Sequence, residues 1–308
     1  MKRFLIESMS AFESYLLEQD FAALTVRGYL ADLEHFAFWF HQVNDELLSP
    51  ERLTPTDLKS YKQHLLVTER RKASTVNRRL AALSAYTKWA LAKGIIQSDP
   101  TVNIKSVKQV ASAPQWLDKQ EQFALQRTIE RDLQLSVLRY PKRWVTRRRD
   151  ASITLFLLNT GLRLGELIAM RLKDVRLSDR KGSLLVQNGK GGKQRTVPLN
   201  AEARKALQDW LSIRPQNDND AVWLTVEGEI EGLGGRTIQR VLWRYAQEAG
   251  LEELTPHILR HTFAKNLVNQ GVGLEKVAAL LGHANLNTTR LYITPDAHDL
   301  EIAVEKLS

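Results

Sequence analysis

One segment constrains the fold of this chain more than any other. Residues 98–114 read SDPTVNIKSVKQVASAP, with two prolines, small polar side chains and no long apolar period, the composition of a connection between domains. Cutting 308 residues there leaves two pieces of ordinary domain size. The expected division is a first domain over 1–108, a connection over 109–117 and a second domain over 118–308.

The two pieces carry different patterns. In the first, apolar residues recur at helical spacing over 8–19, 25–43, 56–66 and 74–93. Thr25, Thr56 and Ser74 suit N-caps, Asp57 supplies an early acid, and Gly94 fits a stop. In the second, helical spacing is expected over 118–133, 150–159, 201–213, 235–249, 256–269 and 274–281. Between them, Val175 with Leu177 and Leu184 with Val186 show two-residue spacing, and the Gly-rich NGKGGKQRTVPL joins two strand-like pieces as a hairpin. The expected fold is mainly α: an all-helical N-terminal domain, then a mostly helical domain with one small antiparallel sheet.

Composition narrows the function. There is no cysteine, which excludes disulfides, thiolate catalysis and Cys-based zinc sites. Apolar runs fall far short of the ~20 residues that cross a bilayer, and Glu7 interrupts the N-terminus too early for a secretory signal, so no membrane and a cytoplasmic location are expected. The formal charge of +9 favours a polyanionic partner. RYPKRWVTRRR over 139–149 holds no acid and two aromatics, Tyr140 and Trp144; it reads equally as a solvated loop or a phosphate contact.

Three segments carry chemistry. Thr255-Pro256 opens a helix that places His257, Arg260 and His261 at i, i+3 and i+4, on one face beside orphan N–H groups that favour an anion. A zinc site on the two histidines is disfavoured by Arg260 between them and by the missing glutamate of HExxH. TGLRLGEL over 160–167 holds Arg163, and LLGHANLNTTRLY over 280–292 sets His283 beside Gly282, with Tyr292 nine positions later. Glu166 is expected to orient an arginine or cap local structure, and Asp174 to open the sheet. His35, His41 and His64 are expected to be surface or core fillers, and His261 a support for its own helix.

Together these segments closely resemble the boxes of the tyrosine recombinase (lambda-integrase) family, in particular its Xer-like and transposon-resolvase members. On that resemblance Arg163 matches box one, Lys190 the hairpin lysine, His257 and Arg260 the HxxR motif, His283 the following GH, and Tyr292 the nucleophile. STVNRRLAALSAYTKWA over 74–90 resembles the last helix of the family's core-binding, DNA-binding domain, while the stretch 135–146 is longer than in compact Xer proteins and has no role assigned.

The resemblance implies a mechanism whose demands are physical. A phenol has a pKa near ~10, so attack on a phosphodiester requires help with its proton and neutralisation of the phosphoryl oxygens. Two arginines, Arg163 and Arg260, suit that clamp, since guanidinium stays charged and forks onto two oxygens. By family resemblance His257 assists proton transfer at the tyrosine, His283 donates to a non-bridging oxygen and Lys190 protonates the leaving 5′ oxygen, with Lys193 as rival. The implied product is a 3′-phosphotyrosyl DNA with a free 5′ hydroxyl, and no ATP, metal or cofactor is implied.

The implied partner is duplex DNA with paired recognition half-sites, gripped between the two domains by four copies on two sites, as a homo-tetramer or a hetero-tetramer. Leu300, Val304 and Leu307 at helical spacing in the tail 297–308 suggest packing into a neighbouring protomer or onto the chain itself. Three other classes stand beside this reading: a type IB topoisomerase, a non-catalytic DNA-binding regulator, and a structural or interaction protein with a basic surface.

Overall fold

The computed structural model describes residues 7–109, 115–187, 194–283 and 285–292. The chain separates into two compact units, 1–112 and 113–308. The first is built from α1 (Glu7–Glu18), α2 (Ala23–Asn44), α3 (Pro55–Gln63) and α4 (Ala73–Ala92). Aromatic side chains dominate its core: Phe12 meets Tyr86 edge-on at 5.4 Å, and Phe36 meets Tyr61 at 4.8 Å.

Helix starts here differ from the sequence expectation for a physical reason. α3 is capped by Thr54, not Thr56: the Thr54 hydroxyl accepts from Asp57 N–H, the Asp57 carboxylate accepts from Thr54 N–H, and Pro55 takes the first position, where no N–H is needed. α2 and α4 start without a side-chain cap, so Thr25 and Ser74 fall inside the first turn. Packing of their apolar faces, with Val26, Leu33 and Phe36 on α2 and Val76, Leu83 and Tyr86 on α4, sets those starts instead.

α3 runs into one π-turn over His64–Thr68, closed by Glu69 N–H on the His64 carbonyl at 3.0 Å. The Glu69 carboxylate then lies 3.1 Å from His35 Nε2, 3.3 Å from His64 Nε2 and 2.7 Å from Arg71 Nε. His35 and His64, two of the three histidines expected to be fillers, are thus members of a polar network that ties α2 to the turn after α3.

The second unit contains α5 (Lys119–Arg139), α6 (Trp144–Thr160), α7 (Leu164–Ile168), α8 (Ala201–Leu211), α9 (Gly235–Ala249), α10 (Pro256–Asn269), α11 (Leu274–Leu281) and α12 (Asn287–Arg290). Strands β1 (Val175–Leu177), β2 (Gly182–Val186) and β3 (Arg195–Pro198) form an antiparallel sheet in that order, in the register Val175↔Leu184↔Val197. The β2–β3 pair is the expected hairpin, and Asp174 ends a single 3-10 turn just before β1, where it accepts from Gln187 Nε2 at 2.7 Å. α6 is buried nearly all round and packs against α5, α8 and α10, which makes it the axis of the unit.

The basic stretch 139–149 is divided: Arg147 and Arg149 are buried and paired, while Arg139, Lys142 and Arg143 are exposed. α5 continues to Arg139 and α6 already begins at Trp144, so most of 135–146 is helix. Arg147 is buried over the Tyr140 ring at 4.4 Å and pairs with Asp132 at 2.9 Å and Glu248 at 3.0 Å. Arg149 pairs with the neighbouring Asp150 and donates to the Leu224 carbonyl. Asp132 and Glu248 lie on α5 and α9, remote in sequence, which is why the run looked unpartnered. Arg147→Met is therefore expected to destabilise the protein by about 3–5 kcal/mol in denaturant unfolding, because it strands the buried Asp132 carboxylate. Arg143→Met, whose partner Glu227 is exposed, should change stability by less than ~1 kcal/mol.

Candidate active site

Two glycine-capped helix ends organise the site. α6 ends at Gly161 (φ +61°) and α11 at Gly282 (φ +66°), both in the left-handed region that glycine enters without strain. Such ends leave backbone carbonyls unpaired at the negative pole of the helix, where cations are favoured. Three consecutive carbonyls at the end of α11 are taken by three different arginines. Arg195 Nε donates to Leu280 O at 3.0 Å, Arg260 to Leu281 O at 2.7 Å and Arg163 to Gly282 O at 2.8 Å. Arg260 also donates to Gly161 O at 2.7 Å, so one buried guanidinium joins both helix ends.

Neither glycine tolerates a side chain in this packing. A Cβ on Gly161 would stand 2.5 Å from Phe263 Cδ1, and one on Gly282 would stand 2.9 Å from Arg195 Nη1.

Glu166, buried in α7, answers these charges. It accepts from Arg163 N–H at 2.9 Å and from the Arg163 guanidinium at 2.8 Å, and it receives two bonds from Arg195 at 2.8 Å each. Burial alone pushes its carboxyl up, but the Arg195 and Arg163 hydrogen bonds outweigh that and hold it down at about 2. It both orients an arginine and caps α7, as the sequence suggested. Burial, with Arg163 close by, lowers Arg260 to about 10, so it remains a cation at neutral pH.

The histidines divide by position. Thr255 caps α10 as expected, its hydroxyl accepting from Ile258 N–H at 3.2 Å. Arg260 and His261 turn inward from that helix, whereas His257 is exposed. His283 is lowered to about 4 by burial, followed by the charges of Arg260 and Arg163, so it is neutral at pH 7. Its Nδ1 lies 2.8 Å from Thr289 Oγ1, which leaves the other ring nitrogen for a ligand.

Tyr292 follows α12 and is 1% exposed, seated among Ala264, Val277 and Leu281. Its hydroxyl lies 2.7 Å from His261 Nδ1. Burial raises the phenol above its ordinary value, against an opposing pull from Arg260. Burial, then the neighbouring His257 and Arg260, lower His261, so the neutral imidazole is an acceptor for the phenol proton.

The structure therefore brings together Arg163, Arg260, His283 and Tyr292, with His257 at the exposed edge. Lys190 and its rival Lys193 lie outside the described residues, as does the tail 297–308. Sequence reasoning missed Arg195 as a site residue and placed His261 only as a support for its helix. For His261 a signal existed, since it shares its helix face with Arg260. For Arg195 there was none, because its partners Glu166 and Leu280 are fixed only by the fold.

Comparison with known proteins gives a consistent family. The model described as Phage integrase family matches residues 129–298, and that described as Phage integrase, N-terminal SAM-like domain, matches 9–94. The chain is 34% identical to Tyrosine recombinase XerC of Roseiflexus castenholzii, over 97% of this chain and 95% of the relative. It is 32% identical to Tyrosine recombinase XerD of Ralstonia nicotianae, over 90% of this chain and 85% of the relative. Among solved structures, XerH site-specific recombinase bound to palindromic difH substrate superposes with TM-score 0.72 at 24% identity, covering 96% of this chain and 84% of that one. A lambda integrase dimer bound to a COC′ core site superposes with TM-score 0.69 at 18% identity, covering 93% of this chain and 94% of that one. At these identities the two superpositions establish the fold.

The depressed Glu166 carboxyl makes stability depend on acid. Its contribution is complete above about pH 4.5 and is lost as pH falls toward about 2, where the folded-state group takes up its proton. Thermal unfolding followed across that window should show the midpoint falling. Glu166→Gln should remove this part of the pH dependence and unfold earlier at pH 7.

Proposed function

The chain belongs to the phage integrase family of tyrosine recombinases, and we propose that it cuts and rejoins duplex DNA at specific sites through a covalent bond to Tyr292. The observation that carries this reading is the convergence of two arginines, a neutral His283 and Tyr292 on the ends of α6 and α11. A scissile phosphate placed there finds Arg163 and Arg260 for its non-bridging oxygens and an imidazole N–H from His283.

The step balances without an external energy source. The Tyr292 Oη–P bond forms as the P–O5′ bond breaks; the phenol proton leaves to a histidine, and O5′ takes a proton from Lys190. The product is a 3′-phosphotyrosyl strand and a 5′ hydroxyl, and attack by the 5′ hydroxyl of a partner strand reverses the step and restores the phosphodiester. By the family pattern His257 assists proton transfer. His261 holds the phenol in the buried state, so Tyr292 must be uncovered before it meets DNA.

The partner is duplex DNA carrying paired half-sites, contacted by both domains, 1–108 and 118–308, with the connection 109–117 between them. Four copies on two sites, identical or mixed with a second related chain, complete the exchange in the cytoplasm, and the tail 297–308 links neighbouring copies. Relatives support the DNA partner: XerH and lambda integrase have been solved on DNA sites.

Incubating the protein with a nicked suicide duplex that carries its selected binding site should give an SDS-resistant adduct, and Tyr292→Phe should give none. Wild type without an adduct, or Tyr292→Phe with as much, refutes the reading. The acid is assigned by a 5′-thio leaving group, which needs no proton. Lys190→Ala should be restored toward wild-type cleavage on that substrate and Arg163→Ala should not; restoration confined to Lys193→Ala would move the role.

A further inference from the structure

Arg195 opens β3, and the recombination chemistry above gives it no task. Its side chain is 12% exposed and lies against Gly282, at the distance where any Cβ would collide. Two of its N–H groups fork onto both oxygens of Glu166, and the third direction, Nε, is spent on Leu280 O. Both of its Nη groups are thus held on the carboxylate, whereas Arg163 gives Glu166 only one and is 27% exposed.

The carboxylate between these two guanidiniums decides what Arg163 can do. A buried glutamate facing Arg163 alone would draw it into a two-pronged pair, the preferred geometry of arginine with carboxylate, and cancel its charge. Arg195 fills both oxygens first. Arg163 and Arg195 bond this one carboxylate and Arg260 feels its charge, so of three positive charges two remain for an incoming dianionic transition state.

We infer that Arg195 is a positioning residue that neutralises Glu166 and so keeps the charge of Arg163 available to the scissile phosphate. A strut that merely fastened β3 to α11 would make the same contacts, but it would respond differently to removal of the glutamate charge. The inference rests on the recombinase reading, and the test separates the two.

The rate of adduct formation on the nicked suicide duplex is measured for wild type, Arg195→Met, Glu166→Gln and the double variant, with site affinity measured in parallel. Arg195→Met should slow the adduct by about 10–100-fold, the loss typical of an outer partner of a catalytic group, with affinity for the site unchanged. The double variant should be faster than Arg195→Met, since no glutamate charge is left to capture Arg163; this sign of coupling is what a strut does not give. Arg195→Lys serves if Arg195→Met does not fold. It should be slowed on ordinary DNA and relieved when a methylphosphonate removes the charge on a non-bridging oxygen of the scissile group. A double variant as slow as Arg195→Met, or relief of either Arg195 variant by a 5′-thio leaving group instead, overturns the inference. Wild type forming no adduct overturns the recombinase reading itself, and is seen before any variant is compared.

Discussion

The site depends on the unpaired carbonyls at the end of α11. Leu280, Leu281 and Gly282 present three acceptors in sequence, and each takes a different arginine. That arrangement needs Gly282 in a left-handed conformation and without a side chain, since Arg195 occupies the space a Cβ would fill. It needs Gly161 for the same reasons at the end of α6, where the carbonyl takes Arg260 and Phe263 closes the space. Like charges gathered this closely repel, and burial together with Arg163 lowers Arg260 to about 10. Glu166 and the negative ends of two helices offset that repulsion.

This electrostatic frame explains the states of the neighbouring groups. Buried and with two arginines near, His283 stays neutral well below pH 7 and keeps a donor N–H instead of adding another cation. The same charges act on Tyr292, where Arg260 favours phenolate while burial disfavours it. In the buried state burial wins, and the phenol rests on His261. Exposure of the phenol would remove the opposing effect and leave the arginine's pull, which favours the phenolate.

Much of this was legible in the sequence, and the reasons differ by residue. The helical first unit, the β2–β3 hairpin and the start of α10 followed from periodicity and from Thr255-Pro256, which are local signals. Arg163, Arg260, His283 and Tyr292 were singled out as candidates because their motifs resemble the family's boxes. What escaped depends on partners distant along the chain. Arg147 and Arg149 read as a basic surface because Asp132, Glu248 and the Leu224 carbonyl are supplied by other parts of the fold. Thr56 was taken for a cap because both threonines suit the role; the reciprocal bond with Asp57 selects Thr54. Arg195 escaped because nothing local marks an arginine at the start of a strand as buried.

The most direct test of the account is a structure of the Tyr292→Phe protein bound to its uncleaved DNA site. The scissile phosphate should lie with its non-bridging oxygens about 3 Å from the guanidinium groups of Arg163 and Arg260, a hydrogen-bonding distance, while Arg195 remains forked on Glu166. A phosphate held elsewhere, or Arg195 released from Glu166 to bind it, would contradict the account.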